Sequence, residues 1–362
     1  MIRILQSVNI MDRAGLETML MNYYRHMDRT KIQFDFLTHR PNEGAYESEI
    51  ASMGGKVFHA PRLYPKNYKI YFEYMTDFFC NHPEYRIIHS HIDTMSAFPL
   101  YAAKKSNIPV RIAHSHSSKL DRDVKLPIKY AALKAIPKVT TDMFACGDVA
   151  GKFMFKDRPF KIIHNAIELD KFAFDSNIRT EMKKQLGIDN GFVIGHVGRY
   201  CYIKNQLFLL DVFSEFLKKE PNSYLLLIGK GEDEQKIRRK IRSSGLNNRV
   251  RLLIDRSDVE RLYQVFDVFV MPSLFEGLPV VGVEAQANGL PCLVSDKISK
   301  EVLLTSNIEM MSLKNSASEW ANKLFSMQME RNMHAKQELE NKGYDVVQEA
   351  KKLQEWYIEN YK

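Results

Sequence analysis

The sequence has few cysteines, few tryptophans and no long apolar run. Its four cysteines lie far apart and form no C-x-x-C pair, which argues against a zinc ribbon and against a disulfide scaffold. A reducing cytoplasm therefore suits the chain. No stretch of about 18 uncharged apolar residues occurs, so no membrane-spanning helix is expected. The N-terminal run 1–8 reaches charged residues too soon for a signal peptide.

Low-complexity tracts and internal repeats are also absent. With 45% hydrophobic and 27% charged residues, the composition is that of an ordinary globular protein, which excludes collagen-like and disordered classes. At about 150 residues per domain, 362 residues predict two domains. The net charge of +8 could attract the phosphates of lipid, nucleic acid or nucleotide, and does not choose among them.

Short runs rich in Val, Ile and Phe alternate with segments of helical period, which is typical of an α/β chain with parallel sheets. The predicted strands are 3–8, 86–89, 110–114, 142–146 and 160–164 in the first half, and 192–197, 224–228, 250–253, 268–271 and 291–294 in the second. A charged and turn-rich stretch at 179–191 separates the two series. An amphipathic helix is predicted over 344–361.

The most informative stretch is 271–285. A predicted strand ends there, a loop carries Glu276, and Pro279 suits the first turn of a helix because that position needs no N–H group. Ligands of open parallel sheets bind beyond the carboxyl ends of the strands, so Glu276 and Glu284 could hold the hydroxyls of one sugar nucleotide. The alternative is that Glu276 caps the helix through its charge and Glu284 lies on a solvated face.

A second candidate site follows the strand at 192–197. Arg199 and Lys204 come after this strand and before a helical stretch, so two cations lie at another strand end of the same half. Together they could neutralise a diphosphate whose negative charge grows as a bond breaks. Ordinary surface charge is the alternative.

The first half offers a glycine and two histidine pairs at strand ends. Gly15 opens the first amphipathic helix and would let a ligand approach the backbone. His89 and His91, and likewise His114 and His116, close two predicted strands. We expect hydrogen-bonding or acid–base roles rather than metal binding, because no carboxylate motif joins them. We also expect the two members of a pair not to converge unless the strand has already ended.

Jointly, these motifs make the sequence resemble the retaining glycosyltransferases of family 4 over essentially its whole length. The stretches that carry the resemblance are 13–17, similar to the family's G-G-x-E loop, 111–116, 165–168, similar to N-G-[IV]-D, 197–199 with 204–205, 228–231, and 272–284, the E-x7-E element. Ala14, Ala166 and Glu168 depart from the usual Gly, Gly and Asp. The chain most resembles the branch that builds bacterial exopolysaccharide and capsule repeat units.

The resemblance implies an α/β GT-B fold, in which two Rossmann-like domains with mostly parallel sheets face a central cleft. The first domain, residues 1–175, would bind the acceptor. The second, residues 176–343, would bind the nucleotide sugar. The final helix, 344–362, would dock back on the first domain.

The resemblance also implies residue roles. Arg199 and Lys204 would hold the donor diphosphate, and Glu284 would hold the ribose hydroxyls. Glu276 would act on the transferred sugar as a catalytic residue. The other donor-binding positions are Phe275, Gly277 and Leu278.

In the first domain, His116 is the other implied catalytic residue and would contact the sugar. His114 would take this place if the alignment shifts by two residues. Gly15 would approach the phosphates.

The predicted reaction is metal-independent and cofactor-free transfer of a sugar, with retention, from a nucleotide-diphosphate donor to a lipid-linked saccharide. UDP is the expected nucleotide, and no nucleic-acid partner is expected. One alternative is a nucleotide-sugar epimerase or hydrolase on the same fold. The other is a non-catalytic module that binds nucleotide or nucleic acid, for which the net charge is the only support.

A basic segment at 119–138 completes the sequence picture. Leu126, Tyr130 and Leu133 fall at helical spacing among its lysines, which is typical of a helix lying on anionic lipid, although a solvated basic face is the alternative. Asp121 and Asp123 match the D-x-D pattern of metal-dependent sugar transferases, and we interpret this match as chance. The expected location is cytoplasmic, on the inner face of the membrane.

Overall fold

The computed structural model describes residues 1–117, 119–120, 126–188 and 190–361. They divide into two compact units: Met1–Ala166 with the segment from Val346 onwards, and Ile167–Asp345. The stretch 167–175 was expected in the first domain but belongs to the second unit. The reason is packing, because Leu169 and Phe172 are buried in the core of the second unit.

The first unit is a parallel seven-stranded sheet with helices packed on it. In chain order its elements are β1 (Ile2–Val8), α1 (Gly15–His26), β2 (Ile32–Thr38), α2 (Glu47–Ser52), β3 (Val57–His59), α3 (Tyr68–Asn81), β4 (Ile87–Ser90), α4 (Ala97–Lys105), β5 (Val110–Ser115), α5 (Leu126–Val139), β6 (Asp142–Ala145), α6 (Asp148–Phe155) and β7 (Lys161–Ile162). The strand order is β3-β2-β1-β4-β5-β6-β7. Strands β2 and β3 were not predicted.

The second unit is a parallel six-stranded sheet with its own helices. Its elements are α7 (Leu169–Phe172), α8 (Ser176–Leu186), β8 (Phe192–Val197), α9 (Gln206–Leu217), β9 (Ser223–Ile228), α10 (Glu234–Ser243), β10 (Val250–Leu253), α11 (Val259–Tyr263), β11 (Val268–Met271), α12 (Val280–Ala287), β12 (Cys292–Ser295), β13 (Ile308–Met311), α13 (Ala317–Ser326) and α14 (Ala335–Asn341). The strand order is β10-β9-β8-β11-β12-β13.

The last helix, α15 (Val346–Asn360), belongs to the first unit. Its apolar stripe is buried against α1 and the sheet, with Ala350, Leu353 and Tyr357 in the core formed by those elements. An amphipathic helix gains most of its stability from such packing. The first unit is therefore completed by residues from the far end of the sequence.

In the described part of the chain, no helix has both the length and the apolar character needed to cross a bilayer.

Candidate active site

In the second unit, the candidate site forms where the strand order changes direction. Strands β8 and β11 are neighbours in the sheet but are far apart in sequence, and each is followed by a loop at the carboxyl edge. Two hydrogen bonds to backbone carbonyls join these loops: the Leu274 N–H donates to the Ile203 carbonyl at 2.8 Å, and Asn205 Nδ2 donates to the Pro272 carbonyl at 3.1 Å. Such an edge is the usual ligand site of an open parallel sheet.

Lys204 and Glu276 meet at this edge. Lys204 Nζ lies 2.6 Å from Glu276 Oε2, and the two side chains are 17% and 14% exposed. Ser273 donates to the other carboxylate oxygen of Glu276 at 2.5 Å. Both charges are therefore largely withdrawn from water and held in one orientation, which an ion pair between two freely moving surface side chains does not achieve.

Two buried residues that the sequence analysis did not single out support these loops. His196, on β8, donates through Nδ1 to the Val270 carbonyl at 2.8 Å, and burial lowers its pKa to about 4. Gln206 donates to the Arg199 carbonyl at 2.8 Å and lies 3.3 Å from His196 Nε2. The neutral imidazole thus fixes β8 against β11 through hydrogen bonds. For His196, the sequence signal was a polar residue inside an apolar strand.

Beside the ion pair, the backbone at Gly277 is open. A side-chain carbon added to Gly277 would meet no atom within 4 Å. Across the residues that the structure describes, no group accepts a hydrogen bond from the N–H of Gly277 or Leu278. Free N–H groups just before α12 suit an anionic or hydroxyl-rich ligand. Phe275 and Leu278 are half-buried on either side of Glu276 and Gly277.

Arg199 is placed differently from Lys204. Its side chain is 71% exposed and its Nε lies 3.0 Å from Glu232 Oε2. The sequence analysis expected Arg199 and Lys204 to act together on one diphosphate. In this structure they are held by different carboxylates, and the exposed Arg199–Glu232 pair contributes little to stability because water competes for both partners.

Glu284 lies on α12 in a partly buried setting. Tyr263 donates to Glu284 Oε2 at 2.9 Å and also approaches the Val281 carbonyl at 3.1 Å. Burial is the main cause that raises the pKa of Glu284 to about 7, while the Tyr263 hydrogen bond and the nearby Lys171 oppose this rise. A carboxyl with this pKa is protonated in a sizeable fraction of molecules at neutral pH. It can then donate as well as accept hydrogen bonds, as a ligand hydroxyl requires.

The raised pKa of Glu284 predicts a pH-dependent stability. Because its pKa rises from 4.5 to about 7 on folding, the folded state is favoured while Glu284 is protonated, and this advantage is lost as the pH rises through 7. We expect Glu284→Gln to exceed the parent in unfolding free energy by about 2 kcal/mol at about pH 8.5 and to match it near pH 4.5.

Urea unfolding of the full chain at both pH values measures this difference. The exposed Glu330 provides the matched control, and Glu330→Gln should change stability equally at both pH values. An equal effect of Glu284→Gln at the two pH values contradicts the assignment.

In the first unit, the two histidine pairs converge in one cluster at the carboxyl ends of β4 and β5. His89 Nε2 lies 3.1 Å from His114 Nδ1, and His91 Nδ1 lies 3.0 Å from His116 Nε2. The rings of His89 and His91 are 4.1 Å apart, as are those of His114 and His116. The sequence analysis allowed this convergence only where the strand has already ended, and β4 and β5 do end at Ser90 and Ser115, one residue before His91 and His116. Residues two apart in an extended chain share a face in any case.

Burial lowers the pKa of every histidine in this cluster, to about 3 for His116 and well below the usual value for His89, His91 and His114. The rings are therefore neutral at pH 7. His91 Nε2 donates to Gln6 Oε1 at 2.9 Å, so its Nδ1 accepts from His116. The ligand atoms of His89, His91 and His114 lie within 4.8 Å of one another, which is also compatible with a metal ion.

His116 is the cluster member nearest to solvent, since it is half-buried while the other three are buried. Its backbone N–H donates to Asp93 Oδ1 at 2.8 Å, which fixes the chain where β5 ends. His114 Nε2 is buried and has no hydrogen-bond partner among the described residues. Gly15, the first residue of α1, is exposed, and an added side-chain carbon would meet nothing within 4 Å. Asp121 and Asp123 lie outside the described residues.

Three comparisons with known proteins agree with the fold. The sequence family described as glycosyl transferases group 1 matches residues 178–338. The putative glycosyltransferase EpsF of Bacillus subtilis (strain 168) is 35% identical over 329 residues, which cover 88% of this chain and 86% of EpsF. The UDP-Gal:alpha-D-GlcNAc-diphosphoundecaprenol alpha-1,3-galactosyltransferase of Escherichia coli is 27% identical over 294 residues, 76% of each chain.

Among solved structures, Anabaena Alr3699/HepE in complex with UDP-glucose superposes with a TM-score of 0.80 at 18% identity, covering 99% of this chain and 100% of that one. This likeness confirms the α/β GT-B fold. The 35% identity to EpsF spans most of both chains, so it supports membership of one family as well as a shared fold. Together with the family match, it shows that this chain belongs to the group 1 glycosyl transferases, the family 4 type that its motifs resemble.

Proposed function

We propose that this glycosyltransferase moves a sugar from a UDP-sugar to a lipid-linked saccharide, with retention at the anomeric carbon and with protein cations in place of a metal ion. The observation that carries the proposal is the meeting of Lys204 and Glu276 beside the open backbone of Gly277. A cation, a carboxylate and free N–H groups at one sheet edge are what a sugar diphosphate needs. The resemblance of the motifs to the exopolysaccharide and capsule branch supports a role in making such polymers.

When the donor binds, Lys204 leaves Glu276 and pairs with the diphosphate of the donor instead. Arg199 is exposed and, among the residues that the structure describes, its side chain is held by Glu232 alone, so it can turn to the same phosphates at small cost. The two cations then stabilise the charge that grows on the departing UDP. Glu276, released from Lys204, and the N–H groups of Gly277 and Leu278 orient the hexose. Phe275 borders this position, and Glu284 binds the ribose hydroxyls.

In the first unit, His116 contacts the transferred sugar as a neutral hydrogen-bonding group, since its low pKa keeps the ring uncharged at pH 7. Its contact with His91 fixes the Nε2–H toward the cluster, which leaves Nδ1 as an acceptor for a sugar hydroxyl. His114 supports His116 from the buried side of the cluster, and its Nε2 has no hydrogen-bond partner in the described residues. Gly15 lets a phosphate approach the N-terminus of α1.

UDP as the nucleotide and a lipid-linked acceptor are supported by two of the similar proteins. The Anabaena structure holds UDP-glucose, and the Escherichia coli relative acts on a diphosphoundecaprenol. A lipid-linked acceptor lies in a bilayer, so we infer that the enzyme works at a membrane surface, on the cytoplasmic face that the sequence analysis expects. The lysines of α5 provide attraction to anionic lipid.

Release of UDP from a panel of nucleotide sugars tests the proposal. We expect one UDP-sugar to be consumed faster than its GDP and ADP counterparts, and transfer to require a lipid-linked saccharide. Activity should persist in excess chelator, because Lys204 and Arg199 supply the charge. Loss of activity with chelator would contradict metal independence and direct attention to Asp121 and Asp123. Consumption without acceptor dependence would indicate a hydrolase or epimerase instead.

A further inference from the structure

An apolar groove lies on the first unit between α3, α4 and α5. It has a volume of about 380 Å³, with aromatic rings on one wall and small side chains of α5 on the other. The rings pack against one another: the Phe98 ring lies 5.0 Å from that of Tyr68 in a tilted contact, and the Phe72 ring lies 5.7 Å from that of Tyr101, edge-on. The opposite wall is formed by Ala131 and Ala135 and their neighbours on α5. Such a lining offers dispersion contacts and almost no hydrogen bonds, which suits a hydrocarbon chain.

A small polar cavity of about 60 Å³ lies at the carboxyl edge of the same sheet. Arg40 and Arg62 line it, together with residues that follow β1 and β4, the two strands between which the strand order reverses. Both arginine side chains belong to exposed residues. The forked guanidinium group binds phosphate oxygens in pairs, so two arginines at this edge suit a phosphate or diphosphate.

The small cavity and the groove are lined by successive stretches of the same two chain segments. The cavity is lined by residues 62–64 and 92–95, and the groove by residues 68–72 and 97–101, so the same two segments pass from one to the other. His39 in the cavity bonds through Nε2 to the hydroxyl of Tyr71 at 2.9 Å, and Tyr71 precedes Phe72 of the groove. An arginine-lined cavity and an apolar groove that share two chain segments match a molecule with a phosphate head and a hydrocarbon tail.

Two of the three helices around the groove carry the charge that an anionic lipid needs, while the third, α3, carries the acidic Glu73 and Asp77. Neither α4 nor α5 contains an acidic residue, and together they carry Lys104, Lys105, Lys129, Lys134 and Lys138. Tyr101 and Tyr130 are 43% and 54% exposed on the same helices. Exposed aromatic and lysine side chains on one face are typical of a surface that meets the headgroup layer of a membrane.

We propose that this groove holds the hydrocarbon chain of the lipid-linked acceptor, and that Arg40 and Arg62 hold its diphosphate. The inference rests on the proposed function, in which the acceptor is lipid-linked. Seated in this way, the diphosphate end of the acceptor lies at the carboxyl edge of the first sheet, where the cluster of His91 and His116 also lies. The groove therefore selects acceptors by their lipid as well as by their sugar.

Binding of farnesyl diphosphate, a soluble diphosphate with a single prenyl chain, tests the proposal by calorimetry on the full chain. We expect it to bind at least about tenfold more tightly than inorganic pyrophosphate, because the chain adds buried methylene groups. Ala131→Glu, which places a carboxylate in the groove at an exposed position, should weaken farnesyl diphosphate at least about tenfold and leave pyrophosphate unchanged. Arg62→Gln should weaken both ligands.

Tyr130→Glu is the matched control, because it brings the same charge change to the next residue of α5 without lining the groove. It should leave farnesyl diphosphate binding within about twofold of the parent. The proposal is overturned if farnesyl diphosphate binds no better than pyrophosphate, or if the two glutamate variants weaken it equally. A third outcome also overturns the proposal: the protein is a dimer and Ala131→Glu makes it a monomer. The groove would then be the contact surface for a second copy of the chain.

Turnover of the UDP-sugar with a lipid-linked saccharide present, measured separately, distinguishes this inference from the function on which it rests. Donor consumption without farnesyl diphosphate binding overturns the groove assignment alone. Farnesyl diphosphate binding without any donor consumption overturns the proposed sugar transfer and leaves a lipid-binding surface.

Discussion

Replacing Lys204 with methionine is expected to lower the turnover number by about 10²- to 10³-fold, the usual cost of losing one preorganised group that stabilises developing charge. The diphosphate is already charged when the donor binds, and it gains a further negative charge as its bond to the sugar breaks, so the cation acts most strongly in the transition state. The KM for the donor should therefore change much less than the turnover number. Steady-state rates on the best donor of the nucleotide-sugar panel measure both constants.

Glu276→Gln should reduce turnover to a similar extent for a different reason. Glutamine keeps the size of the side chain and an oxygen that accepts from Ser273, but it lacks the charge that orients the sugar and balances the electron-poor carbon of the transition state. Each single variant also leaves the other member of a largely buried ion pair without its partner. The double variant Lys204→Met/Glu276→Gln should regain stability and remain inactive, which separates chemistry from folding.

The matched control is an ion pair of the same unit that lies away from this edge. Lys323 Nζ on α13 contacts Glu309 Oε2 near the amino end of β13 at 2.5 Å, so Lys323→Met breaks an ion pair far from the carboxyl edge. Its turnover should stay within about twofold of the parent, since a surface pair contributes little. Near-normal turnover in both Lys204→Met and Glu276→Gln would refute the site assignment.

The sequence predicts most of the second sheet, because its strands are continuous apolar runs. The expected strands at 192–197, 250–253 and 268–271 coincide with β8, β10 and β11. Strand β2 was missed because Gln33 and Asp35 interrupt its apolar pattern. Both are buried, and Asp35 is paired with Arg3 at 2.5 Å and accepts from Tyr85 at 2.7 Å. A charge inside a strand looks like a loop until its partners are known.

The sequence indicates which residues belong to the candidate site, but it does not predict which of them contact each other. Motif resemblance and strand ends together select Lys204 and Glu276, yet these residues are 72 positions apart and no spacing rule brings them together. The outward direction of Arg199 depends on Glu232, whose exposed side chain gives no sequence signal. The histidine pairs were recognised as strand-end residues, and their convergence follows from the period of two that strands impose on side chains.

The second large effect is expected in the stability of the first unit. Tyr357 on α15 is fully buried; its hydroxyl lies 2.6 Å from His89 Nδ1, and its ring packs edge-on against Phe34 at 5.9 Å. We expect Tyr357→Ala to lower the unfolding free energy of the first unit by about 3–5 kcal/mol, since it removes a large buried side chain and leaves a cavity. Tyr357→Phe keeps the ring and should cost about 1–3 kcal/mol, because His89 Nδ1 loses its hydrogen-bond partner.

The two tryptophans of the chain allow this effect to be localised. Trp356 lies in the first unit and Trp320 in the second, so the variants Trp320→Phe and Trp356→Phe each leave one fluorescent reporter. In urea, the transition reported by Trp356 should shift to lower concentration with Tyr357→Ala, while the transition reported by Trp320 stays in place. Ile358→Ala, at the next and 43% exposed position, should shift neither by more than about 0.5 kcal/mol. An unshifted Trp356 transition would mean that α15 contributes little to the stability of the first unit. The burial of the apolar side chains of α15 could then not explain why this helix packs on the first unit.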